Sequence, residues 1–119
     1  MTYTDFARRA EEAIAEYEVA AREYADATLR ELTLEADRHP LKRQVVARLL
    51  TELNPETGKP HSATSAEKQV ELDAEYAAHQ VTVREVLGEK YEARTRMESA
   101  RLRATLAIAA LGALQGVAA

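Results

Sequence analysis

The residues best equipped for chemistry are three histidines, His39, His61 and His79, and a hydroxyl cluster, Ser62, Thr64 and Ser65, beside the second of them. A histidine next to a serine has the makings of a base and its nucleophile. The hydroxyls have a plainer use: Thr64-Ser65-Ala66-Glu67 has the spacing of a capping box, which satisfies the free N–H groups at a helix start. His79 and Glu75 stand one helical turn apart, but two such side chains make only half of a metal site. His39 precedes a proline, where capping is its expected role. Cysteine is absent, which removes thiol nucleophiles, thiolate ligands and disulfides. Gly58-Lys59 is a fragment of a phosphate loop, yet Pro60 stands where a Ser or Thr is required and no second glycine precedes it at the right distance. No catalytic, metal or cofactor set emerges, and no small-molecule substrate is implied. The sequence reads as a non-enzyme that works by binding another macromolecule.

Two groups of residues are candidates for that contact. Lys59, His61 and Ser62 lie in a Pro- and Gly-containing stretch, and Lys42, Arg43 and Arg48 precede it. Together they form the expected partner-binding surface, since recognition often sits on loops held by a rigid scaffold. The alternative is a nucleic-acid surface in which Lys42, Arg43 and Arg48 act with Arg94 and Arg101. Charge argues for a protein partner first: net charge is −4, and residues 1–38 hold five arginines against ten carboxylates. Only Tyr91 stands among the later arginines as a base-stacking aromatic. A virion or assembly component is a third reading.

The elements that position these residues are helices. The 119 residues include 24 alanines but only four glycines, three prolines and one phenylalanine, a composition for closely packed helices in one all-α domain. Breaks are expected at His39-Pro40, at Asn54-Pro55 and across Thr57–Ser62. The reading is a long helix over 4–38, a short helix over 40–53, a loop over 54–63, a helix over 64–72 and a long helix over 74–112. Thr2 or Thr4 caps the first, and Asp73 is placed to cap the last. Gly88 inside the last helix costs about 1 kcal/mol and is tolerated.

Heptad patterning joins the two long helices. Tyr3, Ala10, Tyr17 and Tyr24 form one seam position of the first, and Phe6, Ala13, Ala20, Ala27 and Leu34 the other. In the second, Tyr76, Val83, Lys90, Met97, Ala104 and Leu111 alternate with His79, Val86, Ala93, Ala100, Ala107 and Leu114. Laid antiparallel, Tyr17 faces Ala100, Tyr24 faces Ala93, Ala20 faces Met97 and Phe6 faces Leu111, so large meets small along most of the length. The same register sets Glu16 beside Arg103, Glu23 beside Arg96 and Arg30 beside Glu89. The expected fold is a long antiparallel, Ala-rich, coiled-coil-like hairpin with a helix–loop–helix head.

Apolar residues remain outside the seam: Ile14, Ala21, Leu87, Leu102, Leu106 and Ile108. A hairpin alone buries little, so these predict a homo-oligomer interface. Ala104 to Ala119 carry no charge, but sixteen residues fall short of the roughly 20 that a membrane span needs. With no signal-peptide pattern at the start, cytoplasm is the expected compartment.

The stretch Leu53-Asn54-Pro55-Glu56-Thr57-Gly58-Lys59-Pro60-His61-Ser62-Ala63-Thr64-Ser65-Ala66-Glu67-Lys68 is followed by Asp73-Ala74-Glu75-Tyr76 and, in the last helix, by Glu98-Ser99-Ala100-Arg101-Leu102-Arg103. Over roughly residues 50–105 this pattern resembles small uncharacterised proteins of tailed phages and prophages. The resemblance implies a phage accessory protein acting in the host cytoplasm, in DNA recombination or replication or against host defence. It carries no activity with it.

Overall fold

The computed structural model describes residues 2–118, and their side chains through residue 116. The described residues are all-α: α1 spans Tyr3–Leu49, α2 spans Ala63–Gln69, a single 3₁₀ turn covers Val70–Leu72, and α3 spans Ala74–Ala118. One isolated antiparallel bridge, Leu53 to Pro60, is the sole β pairing among them. The chain forms two compact units, one joining Met1–Thr28 with Gly88–Ala119 and the other comprising Leu29–Leu87.

The first unit is an antiparallel helical hairpin built on small residues. Ala10, Ala20 and Ala27 of α1 and Ala93, Ala100 and Ala104 of α3 are buried, and Tyr17, Tyr24, Met97 and Leu111 are half-buried. Alanine lets two helix backbones approach closely, and the few large side chains fill the remaining space. Glu16 Oε2 lies 3.7 Å from Arg103 Nε, and Glu23 Oε2 lies 3.5 Å from Arg96 Nε, in the register expected from the heptads. These pairs are more than half exposed on average, so each contributes at most about 1 kcal/mol. Their value is in specifying register. Tyr3 departs from the expectation: it is 51% exposed, and its hydroxyl accepts a hydrogen bond from Gln115 Nε2 at 2.9 Å instead of filling the seam.

The cap of α1 is Thr2. Its hydroxyl accepts from Asp5 N at 3.3 Å, while the Asp5 carboxylate accepts from Thr2 N at 3.0 Å, a reciprocal box that satisfies N–H groups at the helix start. The Thr2 backbone N–H, then its hydroxyl, hold the Asp5 carboxyl below its ordinary pKa.

The second unit has the true apolar core. Val45 and Leu49 of α1, Ala66 of α2, Val70 of the 3₁₀ turn and Tyr76 of α3 form a buried cluster, flanked by Leu41 and Val46. Tyr76 is 2% exposed, and its hydroxyl accepts from Arg38 Nε at 3.3 Å.

The expected break at His39-Pro40 does not occur. The separate helices over 4–38 and 40–53 are one helix, α1, with Pro40 inside it, and it ends at Leu49 instead of residue 53. His39 therefore lies within α1 and caps nothing. Pro40 removes one backbone donor and crowds the Ala36 carbonyl. Both residues are exposed, so water can take the freed carbonyl, while Leu34, Leu41 and Val45 anchor the helix on either side. Packing thus overrides propensity. Pro40→Ala should raise stability by about 1–3 kcal/mol, since it restores a backbone bond and removes no contact; the urea midpoint measures it. At the other end α3 continues past the expected residue 112 to Ala118.

Candidate functional site

The head is assembled by backbone geometry between α1 and α2. Asn54 organises the loop. Its amide N–H donates to the Lys59 carbonyl at 2.7 Å, its side-chain oxygen accepts from Glu56 N at 3.0 Å, and its carbonyl accepts from Gly58 N at 2.8 Å. Gly58 has φ +69°, a left-handed conformation that glycine adopts without steric cost. Thr57 Oγ1 accepts from Lys59 N at 3.3 Å, and His61 N donates to the Glu52 carbonyl at 3.2 Å. Lys59 thus closes a tight, self-bonded loop, exposed to solvent.

Ser62, and not Thr64, caps α2. Its hydroxyl accepts from Ser65 N at 3.1 Å, so the cap lies two residues before the expected Thr64 and the helix begins at Ala63. The helix read over 64–72 is α2 followed by the 3₁₀ turn. Asp73 does cap α3: its carboxylate accepts from Tyr76 N at 3.1 Å.

The His–Ser pairing that could suggest catalysis has a definite geometry. His61 Nδ1 lies 2.8 Å from Ser65 Oγ, and Asn54 Nδ2 donates to the same oxygen at 3.5 Å. The pair borders a polar cleft of about 430 Å³ that also touches Glu52, Glu56 and Gln69. Those hydrogen bonds tie the loop to α2. A base–nucleophile pair also needs a third group to orient the base, and no carboxylate meets the His61 ring within ion-pair distance among the described residues. His79, expected on the seam, is half-buried, with Nδ1 3.4 Å from Gln80 Nε2 and with Nε2 buried and unpartnered. Among the described residues no three His, Asp or Glu side chains converge to hold a metal, and no helix is long and apolar enough to cross a membrane.

The basic candidates separate on inspection. Arg48 is consumed by the fold: one guanidinium nitrogen meets Glu52 Oε1 at 3.0 Å and another meets the Asp73 carboxylate. Arg94 is bound to Glu98 in its own helix at 3.2 Å. Lys42 and Arg43 are different. They edge a small groove of about 280 Å³ whose wall is apolar, from Val46, Ala47 and Leu50, with Glu67 on the α2 side. Neither makes an ion pair among the described residues. Ser62 and His61, by contrast, are each hydrogen-bonded to Ser65 of α2. The link from Asn54 to Ser65 and the link from Arg48 to Asp73 have no counterpart in the sequence pattern. The Asn-Pro-x-x-Gly pattern was the available signal for Asn54 itself.

Burial pushes the Asp73 carboxyl up, but the Tyr76 backbone N–H, the Arg48 guanidinium and its charge, and the Glu75 N–H outweigh it and hold its pKa below the ordinary value. A carboxyl depressed in the folded state stabilises the fold above its unfolded pKa, and that stabilisation is lost as pH falls through the folded value. Asp73→Asn keeps an acceptor for the cap but loses the charge. Its deficit against the wild type should be full near neutrality and shrink below about pH 4, measured as urea midpoints across the acid range.

Comparison with protein-family models, with curated proteins and with solved structures gives no match to this chain.

Proposed function

We propose that this chain is a non-catalytic helical binding protein whose head docks another protein. One observation carries the reading: Lys42 and Arg43 make no ion pair among the described residues and flank the apolar groove of Val46, Ala47 and Leu50, with Glu67 on its α2 side. An apolar strip beside two cations suits an amphipathic helix with acidic residues on its margin. The pairing of Arg48 and Arg94 within the chain weighs against a phosphate-tracking surface, which needs free cations along a path. The resemblance of residues 50–105 to phage and prophage proteins supports a phage accessory role, with the partner in the host cytoplasm.

A photo-reactive residue at Ala47, in a chain exposed to bacterial extract, should give a discrete protein adduct that Lys42→Glu with Arg43→Glu abolishes. An adduct pattern indifferent to those reversals sinks the reading. Labelled single- and double-stranded DNA should not bind at about 50 mM salt. Saturable, salt-sensitive DNA binding lost in the same variant replaces the protein partner with nucleic acid.

A further inference from the structure

The hairpin of the first unit has two flanks, and only one is closed. On the closed flank, Glu16 and Glu23 of α1 reach Arg103 and Arg96 of α3. On the other flank the positions next to the seam, seven residues apart, are Ala7, Ile14 and Ala21 on α1 and Arg94, Arg101 and Ile108 on α3. Here the antiparallel register sets arginines against apolar side chains. Ile14 and Ile108 are 37% and 50% exposed. Arg101 makes no ion pair among the described residues. Glu11 and Glu18, one step farther around α1 on this side, are exposed and equally without a cation.

An apolar strip on α1 edged by two free carboxylates lies beside a line on α3 that carries Arg101 and Ile108, with Arg94 paired to Glu98, so the flank is complementary to itself. We infer that a second copy of this chain docks on this flank. The two-fold axis runs along the hairpin, so that α1 of one copy lies over α3 of the other. Ile14 and Ala21 then cover the α3 line of the second copy, and Arg101 falls between carboxylates supplied in trans. The other two-fold arrangement sets α1 against α1. It brings together segments that each carry seven carboxylates and three arginines over residues 3–28, and like charges so placed repel. Residues 88–118 hold five basic side chains against three acidic ones, so the crossed arrangement is attractive on both sides. Both interfaces are antiparallel, as in an up–down four-helix bundle.

The test is the particle mass of the full chain by sedimentation equilibrium, with far-UV circular dichroism to show that each variant stays helical. The wild type should have twice the 13.2 kDa chain mass, with association weakening as salt rises. Ile14→Glu, at an already exposed position, should weaken association by about tenfold or more. Arg94→Glu with Arg101→Glu should weaken it comparably, and adding Glu11→Arg with Glu18→Arg in the same chain should restore it. A monomer at every concentration up to about 100 µM, a trimer or larger ring, a dimer indifferent to Ile14→Glu, or no rescue by the double reversal overturns the inference. None of these outcomes bears on the head groove, which uses other residues.

Discussion

Tyr76→Ala is expected to destabilise the second unit by about 3–5 kcal/mol, the range for truncating a buried aromatic. Tyr76 is among the largest fully buried side chains, and it closes the cluster of Val45, Leu49, Ala66 and Val70. Its removal leaves a cavity bounded by side chains from three helical segments that cannot all move inward, because Ala66 and Val70 are constrained by the short α2 and its 3₁₀ turn. Tyr76→Phe is the control. It deletes only the oxygen that accepts from Arg38, an exposed donor that water can satisfy, and should cost about 0.5–1.5 kcal/mol. Urea unfolding of the two variants separates volume from hydrogen bonding. A Tyr76→Ala loss no greater than that of Tyr76→Phe would show that the head is not held by this cluster. Natural stabilities are about 5–15 kcal/mol, so the expected loss is a large share of what holds the chain folded.

Ala100→Glu is the second large effect. Ala100 is 2% exposed, at the line where α3 meets α1 in the first unit. A glutamate there must either bury a charge or push the helices apart. The expected cost is at least about 4 kcal/mol, seen as a lower thermal midpoint and lost helicity. Leu102→Glu, two residues along the same helix and 61% exposed, should change stability by no more than about 0.5 kcal/mol. Equal effects at the two positions would refute the alanine seam.

Much of the hairpin was readable in one dimension because a heptad is periodic. Alanines at positions 20, 27, 93, 100 and 104 recur at the spacing that places them on one face, and burial follows that face. The Glu–Arg pairs follow from the same spacing once the register is chosen. The head was less legible. Its core joins Val45 to Val70 and Tyr76 across a loop, and no period links those residues. The role of Arg48 was hidden for the same reason, since Asp73 lies 25 residues away. Thr64-x-x-Glu67 matches a capping box in sequence, yet the Ser62 hydroxyl is what accepts from Ser65 N at the start of α2.

Composition and period alone determined that this chain is helical, that its long helices meet along alanine, and which alanines lie at the centre of that seam, because these depend on contacts repeated every turn. Tertiary structure decided whether α1 survives Pro40, where α2 is capped, and which cations remain available to a partner. Those outcomes turn on single side-chain contacts that no period marks: Leu41 and Val45 holding the helix beyond the proline, Ser62 reaching Ser65 N, and Asp73 and Glu52 occupying Arg48 while Lys42 and Arg43 stay free.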